Sequence, residues 1–165
     1  MNGVSTDFQE EQVIEITKSK VIYNVIKRVF DIILSFISII LLSPLFLLIA
    51  VLIKLDSKGP AIFKQKRIGL NGQAIYIYKF RSMIINAEDE LERLMKENED
   101  IRNEYLTNKK LKNDPRITKV GNLIRKTSLD EIPQLINILI GDMSFVGPRP
   151  YLYREIDDMG SYYNN

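Results

Sequence analysis

The sequence predicts an α+β protein, mostly helical, that combines a membrane-associated helix, a small β-hairpin and a helical core. Three observations predict this fold: an uncharged apolar run over residues 32–53, strand-forming residues on both sides of Asn71-Gly72, and helical spacing of apolar residues over 84–111. A chain of 165 residues is long enough for one core together with an attachment segment. A second independent domain is not expected.

Composition restricts the chemistry that this chain can perform. The sequence contains no cysteine and no histidine, which excludes disulfides, thiolate zinc sites, cysteine nucleophiles and the commonest general base. The formal net charge is +2 and no long basic stripe interleaved with aromatics occurs, so nucleic acid is not an expected partner. Any catalysis must therefore rest on carboxylates, Lys, Arg, Ser or Tyr, with a hard cation as the expected metal.

The apolar run at residues 32–53 is long enough to cross a bilayer, which takes about 20 helical residues. Ser43-Pro44 lies in its middle, and a kink or break is expected there because proline lacks an N–H and crowds the preceding turn. A simple span should carry its basic residues mainly on one side, but this run is flanked by them at both ends. These features suit a re-entrant helix broken at Ser43-Pro44, and an ordinary kinked transmembrane helix accounts for them equally well.

The remaining elements follow in order. Residues 1–26 form a polar, mobile or weakly helical arm, 27–55 the membrane helix and 56–165 the rest of the protein. Residues 61–80 predict a hairpin because Asn71-Gly72 suits the positive φ angles of a tight turn. Residues 84–111 predict a charged, solvated helix that ends before Asp114-Pro115, with apolar positions at Leu91, Leu94, Met95, Ile101 and Tyr105.

The segment after a partly helical stretch at 117–126 has the pattern of a helix start. Ser128 and Glu131 have the spacing of a capping box, Pro133 suits a first helical turn, and Gly141 is a natural stop. The segment 147–150 must be a rigid loop that carries a cation, because of its two prolines. An apolar stripe is predicted within the helix, at Ile132, Leu135, Ile136 and Leu139.

Asp130 and Glu131 are also candidates for phosphate chemistry, and this interpretation is compatible with the cap. One carboxylate could attack phosphorus while its neighbour binds a divalent cation that neutralises the phosphate oxygens. Arg binds phosphate oxygens in a fork and Lys as a point charge, so both suit a diphosphate, although each is more often a solvated surface charge. The candidate cations occur at separate places in the chain: Lys79, Arg81, Arg116, Arg125 and Arg149.

Taken together and in order, a series of short blocks resembles the monotopic polyprenyl-phosphate phosphoglycosyltransferases, the bacterial sugar transferase family of capsule, exopolysaccharide and O-antigen synthesis. The resemblance extends from Lys27 to Met159. So many blocks in the same order are very specific for this family. The blocks are Lys27-Arg28-Val29-Phe30-Asp31, Ser43-Pro44, Gln65-Lys66-Arg67-Ile68-Gly69-Leu70-Asn71-Gly72, Tyr78-Lys79-Phe80-Arg81-Ser82-Met83, Asp114-Pro115-Arg116-Ile117-Thr118, Ser128-Leu129-Asp130-Glu131-Ile132-Pro133-Gln134, and the segment from Gly141 to Pro150.

This resemblance implies a fold and an activity. It implies a membrane helix that re-enters at Ser43-Pro44, with the catalytic domain on the cytoplasmic face of the bacterial inner membrane. It implies that Asp130 attacks the sugar-bearing phosphate of a UDP-sugar, releases UMP and passes the phosphosugar to polyprenyl (undecaprenyl) phosphate. Glu131 matches a ligand of Mg²⁺, and phosphate is expected to contact Lys79, Arg81, Arg125 and Arg149. A homo-oligomer is compatible with it.

Members of the resembled family usually continue with a Pro-Gly-Ile-Thr-Gly segment and further helices, whereas this sequence stops at Asn165. The expectation is therefore a minimal catalytic form whose domain is truncated at its C-terminus. The alternative function is that of a truncated, catalytically inactive membrane-bound member that associates with polysaccharide assembly proteins. A lipid-surface anchor without phosphate chemistry would leave the conjunction of blocks unexplained.

Overall fold

A computed structural model of the protein describes residues 4–69 and 72–152, with side chains from residue 19 onward. The first element is a long helix, α1 (Val4–Asp56), so the predicted arm is helical from its fourth residue. Pro44 lies inside α1 and does not interrupt it, and the re-entrant topology stays a prediction. Because proline has no N–H, it cannot donate to the carbonyl of Ile40, and that carbonyl accepts a hydrogen bond of 2.8 Å from Ser43 Oγ instead.

The surface of α1 is strongly apolar. Within the described chain, α1 contributes the one helix, over residues 19–56, that is long and apolar enough to cross a membrane by length and composition. Only 11% of its most apolar stretch is buried inside the protein, and side chains such as Leu41 and Leu47 are exposed. A core helix of a soluble protein would bury such side chains, so this exposure is typical of a helix that contacts lipid.

The predicted hairpin is confirmed. Strands β1 (Ile62–Ile68) and β2 (Ala74–Phe80) are antiparallel, and their pairing runs from Ile62 opposite Phe80 to Ile68 opposite Ala74. Beyond the strands, Gly69 N donates to Gln73 O at 2.8 Å, which closes the connection between them. Gly72 has the expected positive φ of 74°, while Asn71 lies outside the described residues.

The charged stretch after the hairpin is helical, as predicted, but it forms two helices, α2 (Ala87–Glu97) and α3 (Glu99–Asn108). Asn98 divides them because its side chain accepts hydrogen bonds from the backbone N–H groups of Asp100 and Ile101, which begins a new helix. Past α3, Arg116 is buried and makes an ion pair of 2.6 Å with Asp114, so its role is structural.

Two short helices complete the fold, α4 (Lys119–Lys126) and α5 (Gln134–Ile140). The core lies between the second half of α1, the hairpin and α4, where Ile49 and Ile53 pack with Phe80 and Ile124. Phe46 of α1 also meets Phe80 edge to face, with ring centroids 5.4 Å apart. The apolar helix is therefore part of the core of the domain and is not a separate anchor.

Candidate functional site

Asp130 and Glu131 lie on a 3₁₀ turn (Leu129–Glu131) between α4 and α5. The capping-box prediction at this point is wrong: Ser128 has left-handed backbone angles (φ 56°, ψ 17°) and makes no side-chain cap bond. An N-cap side chain reaches the helix N–H groups from an extended backbone, which Ser128 does not have. A non-glycine residue in this conformation costs about 1–2 kcal/mol, so strain is held directly beside the two carboxylates.

Helix α5 positions the turn, and its buried face differs from the predicted stripe. Ile132, Leu135, Ile136 and Leu139 are only partly buried, whereas Pro133, Asn137 and Ile138 are buried. The predicted stop is confirmed, because Gly141 ends α5 with a φ of 103°. The helix turns a polar residue inward because that residue has partners on the neighbouring strand.

Asn137 is fully buried and joins α5 to the hairpin. Its Oδ1 accepts from the backbone N of Tyr78 at 2.9 Å, and its Nδ2 donates to the backbone O of Tyr76 at 2.7 Å. The side chain thus satisfies the exposed edge of β2 directly before Lys79. Sequence reasoning missed this residue; the available signal was a lone asparagine between Ile136 and Ile138 in an otherwise apolar helix.

The next residue of β2, Lys79, pairs with the carboxylate turn. Lys79 Nζ lies 2.7 Å from Glu131 Oε1, and the lysine side chain is only 17% exposed. This hydrogen bond lowers the pKa of Glu131 despite partial burial, and the nearby charge of Arg149 lowers it further. At neutral pH Glu131 is therefore ionised.

Asp130 is shifted in the opposite direction. Burial raises the pKa of Asp130, and the negative charge of Glu131 adds to this effect, while Lys79 and Arg125 act against it. Two adjacent carboxylates with pKa values displaced in opposite directions are characteristic of sites that assign them different roles.

The structure brings together three of the four predicted phosphate-binding cations. Lys79, Arg125 and Arg149 all act electrostatically on the carboxylate pair, and the two arginines are exposed. Arg81 is placed elsewhere: it is buried and donates to Ser57 O and Lys58 O at 2.8 and 2.5 Å. The end of α1 leaves carbonyls without helical partners, so a structural role replaces the predicted phosphate contact of Arg81.

The carboxylate pair can contribute to a magnesium site without forming a complete one. No cluster of three or more acidic or other metal-binding side chains occurs among the residues that the structure describes. Mg²⁺ is commonly held by one or two carboxylates together with substrate phosphates and water. Glu131 fits that pattern, so it would hold the ion together with a bound diphosphate and water.

The first half of α1 contacts the far end of α5. Arg28 Nη1 and Nη2 donate to the carbonyls of Ile138 and Leu139 at 2.6 and 2.8 Å, which caps the C-terminus of α5. Three residues along, buried Asp31 accepts from the backbone N of Phe145 at 3.2 Å. Arg28 was named in the sequence as a basic residue before the membrane segment and as part of the first family block, and the structure shows that it also holds the end of the helix that follows the carboxylate turn.

Comparison with known proteins shows the family of the chain. The family model for bacterial sugar transferases matches residues 22–165. The exopolysaccharide production protein ExoY of Sinorhizobium fredii is 45% identical over 131 residues, which cover 79% of this chain and 58% of that protein. The undecaprenyl-phosphate galactose phosphotransferase of Salmonella typhimurium is 48% identical over 132 residues, covering 80% of this chain and 28% of that protein.

A third relative is the UDP-glucose:undecaprenyl-phosphate glucose-1-phosphate transferase of Escherichia coli, which is 44% identical over 128 residues. These residues cover 78% of this chain and 24% of that protein. The chain therefore spans a little over half the length of ExoY and less than a third of the two phosphotransferases. Since the family model matches nearly all of the chain, from residue 22 to residue 165, the protein belongs to the bacterial sugar transferase family.

Proposed function

We propose that the protein transfers a sugar 1-phosphate from a UDP-sugar to polyprenyl phosphate at the membrane surface, through a phosphosugar intermediate on Asp130. The observation that carries the proposal is the pair of adjacent carboxylates with oppositely shifted pKa values, Asp130 and Glu131, bordered by Lys79, Arg125 and Arg149. The names of the relatives supply the substrate class, because two of them act on undecaprenyl phosphate with galactose or glucose.

The first step is a substitution at the sugar-bearing phosphorus. An oxygen of ionised Asp130 forms a bond to this phosphorus, and the bond to the oxygen that bridges the two phosphates breaks. UMP leaves with that oxygen, and the sugar phosphate stays on the carboxylate as a mixed anhydride. Because burial makes Asp130 more basic than an ordinary aspartate, its ionised form is a stronger nucleophile.

In the second step the lipid removes the phosphosugar. A phosphate oxygen of polyprenyl phosphate forms a bond to the same phosphorus, and the bond to Asp130 breaks. The products are polyprenyl diphosphate sugar and the free carboxylate, ready for another donor. The exposed apolar surface of α1 supports a lipid acceptor. We place the site on the cytoplasmic face of the inner membrane, where α1 would enter the membrane and return to the same side.

The neighbouring residues hold the diphosphate and keep the carboxylates in their separate states. Arg125 and Arg149 are exposed and suited to bind phosphate oxygens in a fork, which neutralises charge that develops as the bridging bond breaks. Lys79 holds Glu131 ionised and fixes its side chain at 2.7 Å. A magnesium ion, when bound at Glu131, would supply further neutralisation of the phosphate charge.

Release of UMP tests the proposal. Membranes that contain the protein are incubated with UDP-glucose or UDP-galactose, with and without added undecaprenyl phosphate. We expect UMP to form, and a lipid-linked sugar to appear in equal amount, in proportion to the added lipid. If neither donor gives UMP above the level of membranes that carry Asp130→Asn, the proposed function is wrong.

The acid side of the pH profile should depend on the charge of Lys79. This ammonium group lowers the pKa of both Asp130 and Glu131, so Lys79→Met raises both. Since the nucleophile reacts in its ionised form, activity rises with pH through the pKa of Asp130, and a raised pKa moves that rise to higher pH. We expect Lys79→Met to lose about tenfold more activity at pH 5 than at pH 8.

The comparison for this variant is Lys79→Arg, which keeps the positive charge beside the carboxylates. Initial rates of UMP release are measured between pH 5 and 9 for both variants and for the wild type. Profiles of the same shape for Lys79→Met and the wild type, differing only in height, would show that Lys79 does not control the ionisation of the pair.

A further inference from the structure

Arg67 of β1 belongs to a sequence block that the proposed mechanism does not use. The residue is a cation, yet only 5% of its surface is exposed. Burying a guanidinium group is costly unless its N–H groups find acceptors. The positions of its acceptors therefore indicate what the fold uses this arginine for.

One edge of the planar Arg67 guanidinium bonds to a residue of its own strand, and another edge bonds to a distant loop. Its Nε and Nη2 donate to Gln65 Oε1 at 3.2 and 2.8 Å, which orients the planar group. Its Nη1 donates to the carbonyl of Pro150 at 3.3 Å. The adjacent Ile68 exchanges two backbone hydrogen bonds with Tyr151, of 2.8 and 3.2 Å. Strand β1 thus holds the two residues that follow Arg149.

The other end of this loop is also fixed. Asp31 of α1 accepts from Phe145 N at 3.2 Å, and Asn137 O accepts from Met143 N at the same distance. Between these anchors the chain is exposed, and two prolines restrict its backbone, Pro148 and Pro150. The position of Arg149 therefore follows from where the chain is held on either side of it.

The charge of Arg149 reaches Glu131, since it is among the groups that lower the pKa of this carboxyl. The side chain itself is exposed. An exposed arginine can adopt many rotamers, so a fixed backbone is the means by which such a side chain is kept near a site.

We propose that Arg67 is a positioning residue: by holding the carbonyl of Pro150, it sets Arg149 beside Asp130 and Glu131, where Arg149 binds the diphosphate of the donor. This inference rests on the proposed function. The described hydrogen bonds of Arg67 go to Gln65 and Pro150, so we expect its effect on the donor to pass through Arg149.

A double-mutant cycle tests this dependence, with UDP as the probe and the protein in detergent. Equilibrium dialysis gives the Kd of UDP for the wild type, Arg67→Met, Arg149→Met and the double variant. We expect Arg67→Met to weaken UDP binding about tenfold, and Arg149→Met to weaken it at least as much. In the Arg149→Met background, Arg67→Met should change the Kd less than about twofold, because its target is already absent.

Two milder variants weaken the same contact with less risk of unfolding the protein. Arg67→Lys keeps the charge but cannot bond Gln65 and Pro150 together, and Gln65→Met removes the acceptor that orients the guanidinium. Each should weaken UDP binding in the same direction as Arg67→Met, and only while Arg149 is present. Arg102→Met is the matched control, since it removes an exposed arginine of α3, and it should leave the Kd unchanged.

Each outcome bears on the inference. If the losses from Arg67→Met, or from the milder variants, add fully to that of Arg149→Met, Arg67 does not act through Arg149 and the inference is wrong. It is also wrong if Arg149→Met leaves UDP binding unchanged. UMP release by the same preparations separates the two proposals: coupled losses of UDP affinity without any UMP release would contradict the function and support the positioning role.

Discussion

The variant Asp130→Asn should lower UMP release at least about a thousandfold and abolish covalent labelling by the donor sugar. The amide has the shape of the carboxylate but cannot attack phosphorus. Glu131 is not expected to replace it, because Lys79 holds that side chain at 2.7 Å and lowers its pKa. A UDP-sugar labelled in its sugar is incubated with the protein without lipid acceptor, and the label retained on the denatured chain is measured.

Two further measurements show whether the loss in Asp130→Asn comes from the missing nucleophile. The first is thermal unfolding of this variant, and the second is covalent labelling of Glu131→Gln. Burial raises the pKa of Asp130, so the ionised carboxylate is disfavoured by folding at any pH above its pKa in the folded state. The neutral amide removes this penalty, and thermal unfolding of Asp130→Asn near pH 7 should occur at the wild-type temperature or slightly above it.

Glu131→Gln should reduce UMP release while retaining some covalent label. Labelling that persists in Asp130→Asn and disappears in Glu131→Gln would identify Glu131 as the nucleophile.

The variant Asn137→Leu should lower the free energy of unfolding by about 3 kcal/mol. Leucine has a similar size but leaves the backbone N–H of Tyr78 and the carbonyl of Tyr76 without their partners, which lie at 2.9 and 2.7 Å in the folded protein, at a contact that α5 partly buries. Chemical denaturation in detergent measures the loss. Amide hydrogen exchange at Tyr78 should be accelerated, because the bond that protects this N–H is removed.

Asn122→Leu is the matched control for this effect. It makes the same substitution on α4, at an exposed position, so the change in the free energy of unfolding should stay within about 0.5 kcal/mol. An equal loss in the two variants would mean that the contact of Asn137 with β2 does not stabilise the fold. Asn137→Leu should also reduce UMP release in proportion to the fraction of protein that has unfolded.

Local sequence patterns were sufficient to predict most of the secondary structure. The hairpin, the charged helices before Asp114 and the end of α5 at Gly141 each depend on residues within a few positions of one another, so periodicity and turn chemistry predict them. The division of the charged stretch at Asn98 is also a local effect, and its capping signal was present in the sequence. The helix continues through Pro44, where Ser43 supplies a hydrogen bond to the carbonyl that proline leaves without a donor, and a kink at this point stays a prediction.

The sequence by itself determined the type of chemistry. Without cysteine or histidine, carboxylates were the first candidates, and the ordered motifs singled out Asp130, Glu131, Lys79, Arg125 and Arg149. Only the tertiary structure decided which of these groups meet. Lys79 and Glu131 are 52 residues apart, Arg28 and Ile138 are 110 residues apart, and no local pattern encodes such contacts. Arg81 was predicted to contact phosphate, but in the structure it binds the carbonyl of Lys58, just after α1. The sequence could not show this, because the packing of distant segments decides the partner and the burial of a charged side chain.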